Sequence, residues 1–152
     1  MIAAVGRPKD QALAAAIRDY ESRAARYWPI EIIEVKGERG DSATAAATVR
    51  ARESERLKLR VGTTATTVAC DASGQSMSSE RFALWLQSER ENARDVAFMI
   101  GGAYGLDETL RDGAQIRLSL APWTLPHELA RLVLAEQLYR AGTIIRGEPY
   151  HK

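Results

Sequence analysis

Val96-Ala-Phe-Met-Ile-Gly-Gly-Ala-Tyr-Gly105 is the stretch on which the fold turns. Its first five residues are apolar without alternation, the pattern of a strand buried on both faces of a parallel sheet. Its glycines follow at once and mark a turn through which backbone N–H groups can approach a ligand closely. The GGxxG spacing is not the dinucleotide fingerprint, and no Gly-Lys-Ser/Thr follows to make a phosphate loop. By itself the turn fits a plain strand-to-helix connection equally well.

Working outward, strands and helices alternate. Ile2 to Val5 reads as a first strand, and Pro8 is placed to open a helix. That helix carries Leu13, Ile17, Tyr20, Ala24 and Tyr27 as one buried stripe. Pro29 to Val35 reads as a second strand. Gly37 and Gly40 mark a loop, with Asp41 or Ser42 as the cap of a second helix over about Ala43 to Leu59. Thr63 to Cys70 is rich in β-branched residues and predicts a third strand, closed by a turn at Ser73-Gly74. Ser78 to Glu89 predicts a helix, Ala114 to Leu120 a fifth strand, and Pro126 to about Ala141 a last helix. Such alternation implies an α/β fold with a mostly parallel sheet and helices on both faces. Ligands then belong at the carboxyl ends of the strands, in the loops after Cys70, Ile100 and Leu120.

Composition narrows the classes. The chain has 152 residues, the size of a single domain spanning 1–152. The lone cysteine, Cys70, allows no intramolecular disulfide, which fits a cytoplasmic protein. No apolar run approaches the ~20 residues of a membrane span, so neither a membrane nor, given the balanced charge, DNA is an expected partner. No Cys/His spacing suits a metal. A net charge of +1 is low for a nucleic-acid binder, so any RNA site must be a local patch or one completed by a second subunit. Arg50, Arg52, Arg56, Lys58 and Arg60 suit phosphate contacts or, as readily, a solvated helix face.

Leu118-Ser-Leu-Ala-Pro-Trp-Thr-Leu-Pro-His127 leads from a strand through a loop stiffened by Pro122 and Pro126. Its remaining N–H and C=O groups suit an adenine edge, or merely a rigid connection. The helix that follows is apolar nearly all round, which suggests burial in a dimer. Glu136 and Arg140 form a favoured i,i+4 pair. His127, in the first helical turn, sits where a neutral ring able to accept a proton is favoured.

The segments Phe98–Leu106, Thr124-Leu-Pro-His127, Arg131–Ala141 and Pro149-Tyr-His151, in this order and spacing, resemble those of the RlmH (YbeA-type) methyltransferases. Ala3–Gly6 and Glu53-Ser-Glu-Arg-Leu57 are weaker echoes. The resemblance implies a SPOUT fold with a C-terminal trefoil knot, a homodimer, and S-adenosyl-L-methionine as cofactor. It implies methylation of N3 of a pseudouridine in 23S rRNA on the assembled ribosome. Carried over by position, cofactor contacts fall on Cys70, Gly101, Leu120, Ala121, Pro122, Trp123, Thr124 and Leu125. Residues near the target base fall on His127, Arg140, Tyr150 and His151. The family often has leucine where Cys70 stands, some members have a Pro-Glu pair at Ala103-Tyr104, and some have arginine at Lys152. Rival readings are a knotted methyltransferase acting on another RNA base, and a non-catalytic ribosome- or ligand-binding dimer.

Overall fold

The computed structural model describes residues 1–38, 43–63 and 65–152, without the side chains of Ala43 and Thr44. The expected cap at Asp41 or Ser42, and Gly40 before it, lie outside the described residues. Five strands, β1 (Ile2–Val5), β2 (Ile32–Val35), β3 (Thr66–Ser76), β4 (Val96–Ile100) and β5 (Ile116–Ser119), form one sheet in the order β2-β1-β4-β3-β5. Every pairing is parallel.

Side chains alternate across the pleat. Ile2, Ala4, Val68, Phe98 and Ile100 enter one core with Leu134 and Leu138. Ala3, Val5, Ala69, Ala97 and Met99 enter the other with Leu57 and Leu106. The first face carries α1 (Gln11–Ala24), α3 (Ser79–Glu91) and α5 (His127–Ile145), with α5 packed between the other two. The second carries α2 (Ala43–Val61) and the short α4 (Glu108–Gly113).

Several boundaries differ from the sequence reading for identifiable reasons. α1 starts at Gln11 rather than at Pro8, because Asp10 caps it by accepting the Leu13 N–H at 2.8 Å. In its stripe Ile17 and Ala24 are buried, while Leu13, Tyr20 and Tyr27 are half-buried. α4 was not expected. It has six residues, too few for an apolar period to show, and is set by the Asp107 cap on Leu110 N–H at 2.7 Å.

Ser73-Gly74 is not a terminating turn. β3 bulges between Cys70 and Gln75, so that both pair with Leu118 of β5. A Cβ on Gly74 would lie 2.6 Å from the Arg117 carbonyl carbon, so only glycine lets the strand rejoin. α5 runs past Ala141 to Ile145, because Gly142 is where Tyr27 packs against the helix. A Cβ there would stand 2.2 Å from the tyrosine ring.

α5 is also anchored by polar contacts. The Trp28 indole N–H donates to the Leu138 carbonyl at 2.8 Å. Arg131, 5% exposed, donates to Glu21 at 2.8 Å and to Glu34 at 2.7 Å. A buried guanidinium is tolerable only when paired in this way. No helix among the described residues is long and apolar enough to cross a membrane.

Candidate active site

The carboxyl ends of β3, β4 and β5 open on a cleft of about 690 Å³. Three pieces of backbone build it. The β3 bulge contributes Cys70, Asp71 and Ala72, the turn after β4 contributes Gly101 to Gly105, and the loop after β5 contributes Leu120, Ala121, Trp123, Thr124 and Leu125. Pro122 belongs to the same loop but is not on the wall. His127, the first residue of α5, closes one end.

The glycine turn is compact. A Cβ on Gly101 would lie 2.4 Å from the Gly105 carbonyl carbon, and Gly105 takes φ +76°. The Gly105 N–H donates to the Gly102 carbonyl at 3.0 Å, which closes the turn on itself. In the opposite wall, Ser119 Oγ donates to the Ala121 carbonyl at 2.7 Å and fixes the first bend after β5. Cys70 is a neutral, apolar element of the wall, since burial first and Asp71 second push its thiol up to about 12. Asp71 was missed in the sequence. Its Oδ1 accepts the Ser73 N–H at 2.9 Å and hydroxyl at 2.5 Å, so the bulge holds it in place.

The cleft fits a nucleoside-sized cofactor. Its volume lies within the ~300–1,000 Å³ usual for such sites. Its walls offer backbone donors and acceptors from a proline-stiffened loop and a compact glycine turn. Trp123, 67% exposed on the rim, leaves an aromatic face uncovered.

The sequence-derived polar set does not assemble here. His127 is at the cleft, whereas Arg140, Tyr150 and His151 form a separate cluster farther along α5. Thirteen residues at 1.5 Å each put Arg140 about 20 Å from His127 along the helix. In the cluster Glu136 Oε1 accepts from Arg140 Nε at 2.9 Å, from Arg140 Nη2 at 2.5 Å and from the Tyr150 hydroxyl at 3.1 Å. The Arg140 guanidinium lies 4.8 Å from the Tyr150 ring centroid, and Tyr139 meets Tyr150 edge-on at 4.6 Å. His151 Nδ1 is 3.4 Å from Arg140 Nη1, and its Nε2 is 2.7 Å from Glu80. Burial, then Tyr20 and Glu136, hold the Tyr150 phenol above its ordinary range. The Glu136 hydrogen bond outweighs burial and raises Arg140 further, so its charge is permanent.

The basic face of α2 is partly neutralised. Arg52 and Arg56 both bind Glu38, and Arg56 also donates to the Lys36 carbonyl at 2.8 Å. Lys58 and Arg60 are exposed. No His/Cys/Asp/Glu group suited to a metal occurs among the described residues.

Comparison with known proteins adds an independent line. A family model described as "Predicted SPOUT methyltransferase" matches residues 1–151. The chain is 63% identical over 148 residues to a "Ribosomal RNA large subunit methyltransferase H" of Gemmatimonas aurantiaca, covering 97% of this chain and 96% of that one. It is 44% identical over 151 residues to the protein so named from Anaeromyxobacter, covering 99% and 97%. Against that of Acetivibrio thermocellus it is 42% identical over 155 residues, covering 99% and 98%.

Proposed function

Since this chain belongs to the SPOUT methyltransferase family, whose cofactor is S-adenosylmethionine, we propose that it methylates large-subunit ribosomal RNA as a single-domain homodimer in the cytoplasm. The target in this reading is N3 of a pseudouridine in 23S rRNA on the assembled ribosome. The observation that carries the reading is the backbone-built cleft at the carboxyl ends of β3, β4 and β5. Its walls are the β3 bulge, the Gly101–Gly105 turn and, Pro122 apart, the Leu120–Leu125 loop. The segment from β5 into α5 is the part that the family threads as a trefoil knot, and we take the same threading here.

Cys70, Gly101 and the Leu120–Leu125 run hold the cofactor in this proposal. When bound, it supplies an electrophilic methyl group on a sulfonium. The chain's own work is to orient the base, accept the N3 proton and exclude water. Alignment alone is worth roughly 7–11 kcal/mol of barrier. His127 or His151 would accept the proton that N3 must lose for the methyl group to be received. Arg140, with its fixed charge, stabilises the anionic base, and Tyr150 orients it.

The separation of about 20 Å between His127 and Arg140 supports a composite site in a dimer, one protomer's cleft facing its partner's cluster. The half-buried apolar residues of α5, Leu129, Leu132 and Val133, support the same pairing. Complementation tests it. Ala103→Trp fills the cleft from an exposed position and Arg140→Ala disables the cluster, so each homodimer is inactive. Mixed in equal amounts, half the dimers are hybrids with one intact composite site, and about a quarter of wild-type activity returns. No recovery on mixing means that cleft and cluster act within one chain.

With a net charge of +1, phosphate contacts alone bind RNA weakly. Assembled ribosomes are therefore the good substrate, and a naked stem-loop at physiological salt is a poor one. Mass spectrometry of rRNA from a deletion strain, with and without the gene restored, identifies the nucleotide. Methylation elsewhere would turn the reading to the knotted enzymes that act on other RNA bases.

A further inference from the structure

Behind the glycine wall of the cleft sits a carboxyl group that the proposed chemistry does not use. Glu53, on α2, is 3% exposed. Its Oε1 accepts the Glu38 N–H at 2.8 Å, while its Oε2 is buried without a hydrogen-bond partner among the described residues. A Cβ on Gly102 would lie 2.7 Å from that free oxygen and 3.0 Å from Val5 Cγ1. The carboxyl thus lies against the Gly102 backbone, and Gly102 is also part of the cleft wall. On the neighbouring strand end, His127 Nε2 would be 3.7 Å from a Cβ on Gly6. Carboxyl, glycine turn and imidazole therefore meet at the carboxyl ends of β1 and β4.

An ionised carboxylate with an unpaired buried oxygen costs much more than the neutral acid does. Burial raises the Glu53 pKa, opposed by the Glu38 N–H, Arg56 and His127, and aided by the Glu38 carboxylate. Glu38 and Arg56 are ion-paired to each other, so much of their influence cancels. On the cleft side the charged lining side chain is Asp71. A positive charge placed across the Gly102 backbone would reverse the preference of Glu53.

We propose that Glu53 is the cleft's buried counter-charge. It carries a proton when no cation is seated, releases it to solvent when the sulfonium of S-adenosylmethionine binds, and regains it when the neutral thioether of S-adenosylhomocysteine remains after transfer. The cleft thereby favours the methyl donor over the spent product. This rests on the cofactor reading above.

Calorimetry of the full-length protein in phosphate and in Tris, which differ in ionisation enthalpy, tests it. S-adenosylmethionine should release about half a proton more than S-adenosylhomocysteine does near the Glu53 midpoint. Glu53→Gln keeps the shape and the Oε1 acceptor. It should abolish that difference and narrow the donor-to-product affinity ratio by on the order of tenfold. Asp71→Asn should leave the proton release in place. Carboxyl 13C shifts of Glu53 in the wild-type protein, followed through a cofactor titration, decide the matter should Glu53→Gln fail to fold. Proton release surviving in Glu53→Gln, lost in Asp71→Asn, or a Glu53 shift unmoved by the cofactor, would overturn the proposal and leave Glu53 as a clamp on the Glu38 loop. Absence of any S-adenosylmethionine binding to the wild type would instead sink the cofactor reading.

Discussion

The cleft and the C-terminal cluster are built from opposite materials. The cleft is made of main chain: a strand bulge, a glycine turn and a proline-stiffened loop. The cluster is made of side chains gathered on one acceptor, Glu136 Oε1, with Arg140 and Tyr150 as donors and His151 beside them. Main chain holds a shape and is indifferent to most side chains, but fails when a Cβ is added. A side-chain cluster does the reverse. In the function proposed above, the two regions therefore divide the labour, shape for a cofactor at one end of α5 and charge for a reacting base at the other.

Gly101→Ala should break the comparison hardest. Its Cβ would meet the Gly105 carbonyl carbon at 2.4 Å, backbone that cannot rotate away. Forced repacking of this kind costs about 1–3 kcal/mol. We expect cofactor affinity to fall by more than ~100-fold by calorimetry, with a melting temperature lower by a few degrees. Near-normal binding would mean that the turn yields and the cleft is not shaped by its backbone.

Arg140→Ala should leave cofactor affinity within about twofold while methyl transfer falls by ~100-fold or more, an electrostatic loss at a water-excluded site. Arg140→Lys should rescue little. A lysine keeps the charge but not the planar fork that holds Glu136 through two nitrogens. A parallel loss of cofactor binding would erase the distinction between the regions.

Glu136→Gln is expected to be milder, about tenfold in transfer rate, because the donors keep a neutral acceptor. It also has a spectroscopic signature. The Glu136 carboxylate is one of the groups holding the Tyr150 phenol above its ordinary range, after burial and Tyr20. Removing its charge should make Tyr150 titrate at lower pH in an ultraviolet titration. An unmoved Tyr150 would mean that burial and Tyr20 set it without Glu136.

These two materials also differ in how far a sequence shows them. The buried strand Val96–Ile100 and the glycines after it are local patterns, and the prolines of the cleft loop announce its stiffness. The β3 bulge is not local. Ser73-Gly74 has turn composition, and only pairing with Leu118 keeps it in a strand. Glu53 sits among charged neighbours on a helix, where a solvated face is the natural reading, and Arg131 is a lone charge in an apolar run whose partner the sequence does not name. Their burial depends on partners 15 and 110 residues away, Glu38 and Glu21. For the cluster, resemblance supplied the residues, and the distance of Arg140 from His127 lies within the helix the sequence already predicts; what stays hidden is how the tail after Ile145 brings Tyr150 and His151 back to Arg140.

The smallest effect concerns what tethers the tail. Glu80 lies in the first turn of α3 and binds His151 Nε2 at 2.7 Å, and its carboxyl is lowered to about 2. The causes, in order, are its own backbone N–H, the Ser78 hydroxyl and then His151. A depressed carboxyl contributes stability above its unfolded value, and that contribution is lost as pH falls through the folded one. Between pH 5 and pH 8 this contribution is therefore flat, and any pH dependence of activity there arises elsewhere. His151→Gln leaves the two leading causes, the backbone N–H and the Ser78 hydroxyl, in place. An NMR titration of that variant should find Glu80 still well below the ordinary carboxylate value, raised only slightly. A return to the ordinary value would make His151 the dominant partner. The C-terminal cluster would then be fastened to α3 as firmly as to α5, and the tail would be a fixed wall of the site instead of a polar fringe resting on Arg140.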